Sequence, residues 1–193
     1  MIESPFVHEN ILDFIRHYKN VFEDGFCEQA ISEIKDKDWK RHSYYSYKDD
    51  NFVSHDNDLY VLTIQNELQE KIDRKIWDLI YQYICVDFRS DWFNGWNGST
   101  GVRFNRYGLK QEMRAHCDHI HSMFDGEVKG VPTLTVLGCL NNDYEGGEFF
   151  ICNNKKIELK ANEVLIFPSN FMYPHLVTPV TSGNRYSFVS WVW

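Results

Sequence analysis

Residues 132 to 152, "PTLTVLGCLNNDYEGGEFFIC", alternate two textures. An apolar, β-branched run from Leu134 to Leu140 stops at Asn141 and Asn142, and a second run starts after Gly146 and Gly147. Short apolar runs bounded by Asn and Gly read as strands joined by turns. The same texture continues in "KIEL", "EVLIF", "YPHLVTPV" and "RYSFVSWVW", with turn signals at Asn153-Asn154 and Ser182-Gly183-Asn184, and it begins upstream in "GVRFNRY" at 101 to 107. Many short strands after residue 100 predict a sandwich or jelly roll. Before residue 100 the period is helical. Cys27, Ala30, Ile31 and Ile34 predict a helix over 24–36 with Asp24 as its N-cap, and Leu68, Ile72, Ile76, Leu79, Ile80 and Tyr83 predict a longer one over 64–84. The tyrosine-rich stretch between them reads as a loop or weak strand. The expected fold is mostly β with supporting helices (α+β), a cupin-like double-stranded β-helix with N-terminal helices packed on one sheet. It is expected to form a single domain over 1–193, with 1–99 as helical support and 100–193 as the jelly-roll core.

Composition narrows the function classes. The chain has 193 residues and a formal charge of −8, which disfavours tracking a nucleic-acid backbone and favours neutral or basic partners over acidic ones. No stretch approaches the ~20 apolar residues of a membrane span, and "MIESPFVHEN" carries an early Glu and no apolar leader core. The five cysteines are scattered singly, without a CxxC pair, as expected of reduced thiols in the cytoplasm of a bacterium or of a virus-infected cell.

The chemistry centres on "MRAHCDHIHSMF", residues 113 to 124. Side chains two apart on a strand point the same way, so His116 and Asp118 face the interior together while His119 and His121 turn to the rim. His175, in "MYPHLVTP", is the distant histidine on a late strand. Two imidazoles and one carboxylate make the facial triad of non-haem Fe(II) oxygenases, which leaves coordination positions open. Charge arithmetic extends the site. A divalent ion, one carboxylate and a bound 2-oxoglutarate dianion sum to one negative charge, and Arg185, ten residues after His175, supplies a planar cation for the far carboxylate.

His116-x-Asp118, His175 and Arg185 together resemble the HxD…H…(R/K) signature of the Fe(II)/2-oxoglutarate-dependent dioxygenases, most closely the prolyl 4-hydroxylase-like group. "Tyr107-Gly108" upstream and "TVLGCLNN", "YEGGEF", "EVLIFPS" and "GNRYSFVSW" downstream fall in the same order. The resemblance is specific over roughly residues 100 to 193. It implies Fe(II) on His116, Asp118 and His175, 2-oxoglutarate held by Arg185 with help from Tyr107 and Thr135, and Trp191 packed behind. It also implies O₂ as co-reactant, ascorbate as accessory reductant, and hydroxylation of an unactivated C–H with release of succinate and CO₂. Prolyl 4-hydroxylases proper usually carry Lys in place of Arg185 and often Tyr in place of Cys139, which leaves the dioxygenase assignment intact and loosens the prolyl one. The substrate is accordingly a peptide or a small molecule, and the oligomeric state is unreadable.

Other readings run alongside. A cupin-like metal- or sugar-binding module would recruit His119 or His121, and an inactive relative would serve as an interaction domain. Tyr107 and Thr135 also suit plain strand positions. Arg103 and Arg106 read as surface charge, the alternative being that one of them reaches the pocket. The aromatic segment 91–96 reads as buried packing, and Tyr44 to Tyr47 with the loop 121–130 are candidate walls of a substrate groove.

Overall fold

The structure is a computed structural model that describes residues 10–46, 48–89, 98–118, 132–152 and 154–193. Tyr47, His119, His121, the segment 91–96 and the loop 121–130 therefore lie outside the described residues. In chain order the elements are β1 (Arg16–Lys19), α1 (Phe26–Ile34), β2 (Lys40–Arg41), β3 (Tyr44–Ser46), β4 (Asn51–Val53), β5 (Tyr60–Thr63), α2 (Glu67–Tyr81), β6 (Arg103–Tyr107), β7 (Met113–His116), β8 (Leu134–Cys139), β9 (Tyr144–Gly146), β10 (Phe149–Ile151), β11 (Lys155–Ile157), β12 (Glu163–Pro168), β13 (His175–Val177), β14 (Val180–Gly183) and β15 (Arg185–Val192).

An antiparallel sheet in the order β1-β12-β8-β15-β6-β5-β2 faces a smaller one in the order β11-β10-β13-β7. Strand alternation divides the apolar residues into two cores. On β8, Leu134 and Val136 face outward and join Val164, Ile166, Phe104, Phe188 and Val192 under the helices, which contribute Phe26, Ala30 and Ile34 from α1 and Leu68, Ile72, Ile76 and Ile80 from α2. Leu137 and Cys139 face inward, with Leu165, Phe167, Val189 and Trp191, against Phe149, Ile151 and Val177 of the smaller sheet. Both faces of β8 are thus covered, which is why all six of its residues are buried and why it reads as a continuous apolar run.

α1 is shorter than its periodicity predicts, and the second helical run is shifted toward the C-terminus. α1 starts at Phe26, and the N-cap is Gly25 at φ +81 with no side-chain cap, in place of Asp24. A left-handed φ suits glycine and penalises an aspartate there. α2 is capped by Asn66, whose side chain accepts from the Gln69 N–H at 3.1 Å, and it runs on into a π-helical turn over Gln82–Asp87. The first half of the chain does more than buttress, since β1, β2 and β5 all join the large sheet. The tyrosine-rich stretch resolves into the β3–β4 hairpin and β5. Among the described residues no helix is long and apolar enough to cross a membrane.

One glycine sets how closely the sheet packs under the helices. A Cβ built on Gly138 would lie 2.1 Å from the Phe188 ring, its partner in the β8–β15 register. Gly138→Ala should therefore overpack the outer core, cost about 1–3 kcal/mol and lower Tm by roughly 2–12 °C. Adding Phe188→Leu should recover part of the loss in the same thermal melt.

Candidate metal centre

β7 and β13 are neighbours in the smaller sheet, and their register sets His116 directly opposite His175. The two imidazole centroids are 4.3 Å apart. β7 ends at His116, so Asp118 lies two residues beyond the strand and not on it; the expected common direction nevertheless holds. Asp118 Oδ1 is 3.5 Å from His116 Nε2, and Oδ2 is 3.7 Å from His175 Nε2. One ligand atom from each of the three residues lies within 4.8 Å of the others.

Backbone carbonyls orient both rings in the same way. His116 Nδ1 meets the Arg114 carbonyl at 2.8 Å, and His175 Nδ1 meets the Tyr173 carbonyl at 3.1 Å. A carbonyl only accepts, so each Nδ1 carries the proton and each Nε2 turns a lone pair toward Asp118. Burial, only partly opposed by Asp118, pushes the His175 pKa down and favours the neutral ring that binds metals. Burial would by itself raise the Asp118 pKa, but contact with His116, the positive charge that either imidazole takes up when protonated and a hydrogen bond from Thr135 outweigh it and hold the carboxyl well below its ordinary range. Two lone pairs and a carboxylate converging on one point form a cage for a cation.

Thr135 donates its hydroxyl to Asp118 Oδ2 at 2.6 Å, and Ser169 Oγ lies 2.8 Å from the same hydroxyl. The structure thus places Thr135 against the Asp118 carboxylate. Phe167 and Phe149 wall the His175 ring, at 5.1 and 5.7 Å between centroids.

Arg185 opens β15 opposite Tyr107 on β6. Its residue is 1% exposed. One terminal nitrogen donates to Ser187 Oγ at 3.0 Å, and the guanidinium lies 5.1 Å from the Tyr107 ring and 6.0 Å from the Tyr144 ring. Its Nε has no partner, and no carboxylate among the described residues pairs with it. Burial pushes the Tyr107 pKa up, and the charges of Arg185 and Arg103 oppose that rise. A lone cation in a protein interior costs several kcal/mol unless an anion joins it.

The residues expected from the sequence, His116, Asp118, His175, Arg185, Tyr107 and Thr135, thus converge between the two sheets. One expectation is corrected: Arg103 faces inward over Trp191 at 4.8 Å, whereas Arg106, on the outer face, lies half-buried over Trp39 and Tyr60 at 5.0 and 5.1 Å. Strand pairing put both there, and arginine stems and planar heads pack well on aromatics. Sequence reasoning missed Ser169, Ser187 and Tyr144. Only Ser187 carried a signal, its place two residues after Arg185 on one strand.

Residues 102–193 match the family model described as the 2OG-Fe(II) oxygenase superfamily. A "PKHD-type hydroxylase" of Shewanella oneidensis is 38% identical over 93 residues, covering 46% of this chain and 41% of that protein. Another of Psychrobacter is 35% identical over 95 residues, covering 46% and 36%. The chain thus spans about two fifths of the length of the curated relatives it matches. Among solved structures, the viral collagen prolyl hydroxylase of Paramecium Bursaria Chlorella virus-1 superposes with a TM-score of 0.65 at 19% identity, covering 93% of this chain and 95% of that one. A prolyl hydroxylase of Trichoplax adhaerens, solved with a hypoxia inducible factor peptide fragment, gives 0.69 at 18%, covering 94% and 84%. Both likenesses are of fold.

Proposed function

We propose that this chain, which belongs to the 2OG-Fe(II) oxygenase superfamily through residues 102–193, is an Fe(II)- and 2-oxoglutarate-dependent hydroxylase of the prolyl 4-hydroxylase-like kind. One observation carries the reading: a buried guanidinium with no anion among the described residues faces the same interior as a His-Asp-His cage. A metal cage alone has no need of that cation. A cosubstrate that chelates a metal at one end and carries a free carboxylate at the other needs both. The cupin-like metal- or sugar-binding reading leaves Arg185 without a role and is not favoured.

In this reading His116, Asp118 and His175 hold the iron and Arg185 holds the distal carboxylate of 2-oxoglutarate. Once bound, the pair supplies O₂-dependent hydroxylation of an unactivated C–H with release of succinate and CO₂. The protein's own residues do the rest. The Arg114 and Tyr173 carbonyls fix the imidazoles, Thr135 aims Asp118, Tyr107 stacks on Arg185, and Phe149 and Phe167 keep water from His175. The substrate class is an amino-acid side chain, peptidyl or free, as the names of the hydroxylase relatives suggest. The strands that the first half contributes to the large sheet support a single catalytic domain. The unpaired cysteines support a reducing, cytoplasmic setting.

The test is succinate formation from 2-oxoglutarate in air, with and without Fe(II), across a panel of free amino acids and short prolyl peptides. Succinate that requires Fe(II) supports the reading; metal binding with no consumption of 2-oxoglutarate returns the chain to a binding module. A finer expectation concerns Thr135. Thr135→Val keeps the side-chain shape and removes the donor to Asp118, so metal affinity should fall about 10–100-fold, as for other outer partners of metal ligands. A metal titration that gives wild-type affinity would remove Thr135 from the site.

A further inference from the structure

Arg103 lies four residues before Tyr107 on β6, on the same inner face, opposite Val189 of β15 and Thr63 of β5. Its Nε donates to Asn105 Oδ1 at 3.2 Å, and its guanidinium plane sits 4.8 Å from the Trp191 ring. No hydrogen bond to a described residue occupies its two terminal nitrogens, and no described carboxylate forms an ion pair with it. The carboxylate whose field it feels is Asp118, whose oxygens already face His116, His175 and Thr135. Arg103 is half-buried on the inner face of the large sheet, where burial pushes its pKa down.

Two further polar atoms are buried without a partner among the described residues: Trp191 Nε1, on the ring under the Arg103 guanidinium, and His42 Nδ1, on a ring that feels the Arg103 charge. Burial, and then the Arg103 cation, push the His42 pKa down to about 4, so this ring is neutral. Trp191 stands opposite Thr135 in the β15–β8 register, and Thr135 is bonded to Asp118. Trp191 thus stands beside the residue that bonds Asp118, six residues along β15 from Arg185. Stacking on Trp191 alone does not offset the desolvation of a guanidinium. The charges agree. A divalent metal, Asp118, a 2-oxoglutarate dianion and Arg185 sum to zero, which leaves Arg103 as one uncompensated positive charge.

We propose that Arg103, with Trp191 Nε1 and His42 beside it, is an anion subsite that receives one carboxylate of the substrate and so determines specificity. The inference rests on the hydroxylase reading and names its substrate class: an amino-acid unit carrying a carboxylate near the C–H that reacts. That carboxylate comes from a free amino acid, a peptide C-terminus or an acidic residue next to the target. The net charge of −8 describes the outer surface, whereas the local cation decides recognition inside the cavity.

The experiment uses the full chain loaded with Mn(II), which is redox-inert here, and 2-oxoglutarate. Calorimetry then measures binding of free L-amino acids against their amides, of tripeptides with a C-terminal carboxylate against the amidated forms, and of amidated peptides containing internal Asp against Asn. At least one carboxylate probe should bind at least tenfold tighter than its neutral twin, and the arm in which it does so identifies the source. Arg103→Met should erase that preference while 2-oxoglutarate and Mn(II) affinities change less than twofold, and Arg103→Lys should restore part of it. A thermal melt of each variant checks folding, and Arg103→Gln stands in if the methionine variant unfolds. A wild-type protein that shows no carboxylate preference overturns the proposal. So does a preference that survives in the folded Arg103 variants. A tenfold or greater loss of 2-oxoglutarate affinity in Arg103→Met also overturns it, by moving Arg103 to the cosubstrate. Failure of the wild-type protein to bind 2-oxoglutarate with Mn(II) would instead defeat the hydroxylase reading, and the subsite with it.

Discussion

Replacing any one of His116, Asp118 and His175 by alanine is expected to abolish iron retention and turnover while the protein stays folded. The three side chains supply one ligand atom each within 4.8 Å, so each substitution removes a third of the protein's donor set from an open site. The loss should exceed the ~10–100-fold typical of an outer partner. Asp118→Ala is the most severe of the three, because Asp118 supplies the one carboxylate of the cage among the described residues and is the carboxylate to which Thr135 donates. Folding should survive, since the sheets are held by the two apolar cores and not by the ligands. Metal content after desalting, beside a thermal melt, makes the check. His119→Ala and His121→Ala serve as controls on the reading of the motif. Loss of metal in either, with retention in Asp118→Ala, would show that the wrong side chains were chosen.

Arg185→Ala is expected to weaken 2-oxoglutarate binding by on the order of 2–5 kcal/mol, the range for truncating one partner of a buried, hydrogen-bonded charge pair. Metal affinity should stay near wild type, because Arg185 contacts Ser187, Tyr107 and Tyr144 and none of the cage residues. Arg185→Lys should recover only part of the loss, since an ammonium cannot reproduce the planar fork. A second readout separates this role from a structural one. In the protein without cosubstrate, Arg185 is a buried cation with no anion among the described residues, so Arg185→Met should leave Tm unchanged or raise it. A large drop in Tm with an unchanged 2-oxoglutarate affinity would mean that Arg185 holds the fold together and not the ligand.

The sequence made the metal cage legible for a local reason. His116 and Asp118 are two apart, His175 starts a recognisable strand, and charge balance leads from them to Arg185. The outer and inner cores were legible for the same reason, because β8, β12 and β15 are long enough for their texture to register. What escaped was set by pairing across the chain. β1 joins the sheet through Arg16 opposite Ile166, a register that no local pattern encodes. β2 and β5 are two and four residues long, too short for alternation to stand out in a tyrosine-rich stretch. Arg103 was misread because "RFNRY" places an arginine on each face of β6, and only the partner strands decide which face turns inward. The start of α1 was misread because Asp24 matches a capping residue by type, while the left-handed turn at Gly25 moves the helix past it.

In the proposed reading, the metal cage and the buried Arg185, which no described carboxylate pairs with, are the two ends of one cosubstrate site. Calorimetric titration of the Mn(II)-loaded protein with 2-oxoglutarate and with 2-oxopentanoate, which keeps the keto-acid end and lacks the distal carboxylate, tests it most directly. Binding of 2-oxoglutarate is expected to need the metal and to be at least tenfold tighter than that of 2-oxopentanoate, and the difference is expected to vanish in Arg185→Ala. Equal affinity for the two acids, or 2-oxoglutarate binding that needs no metal, would contradict it.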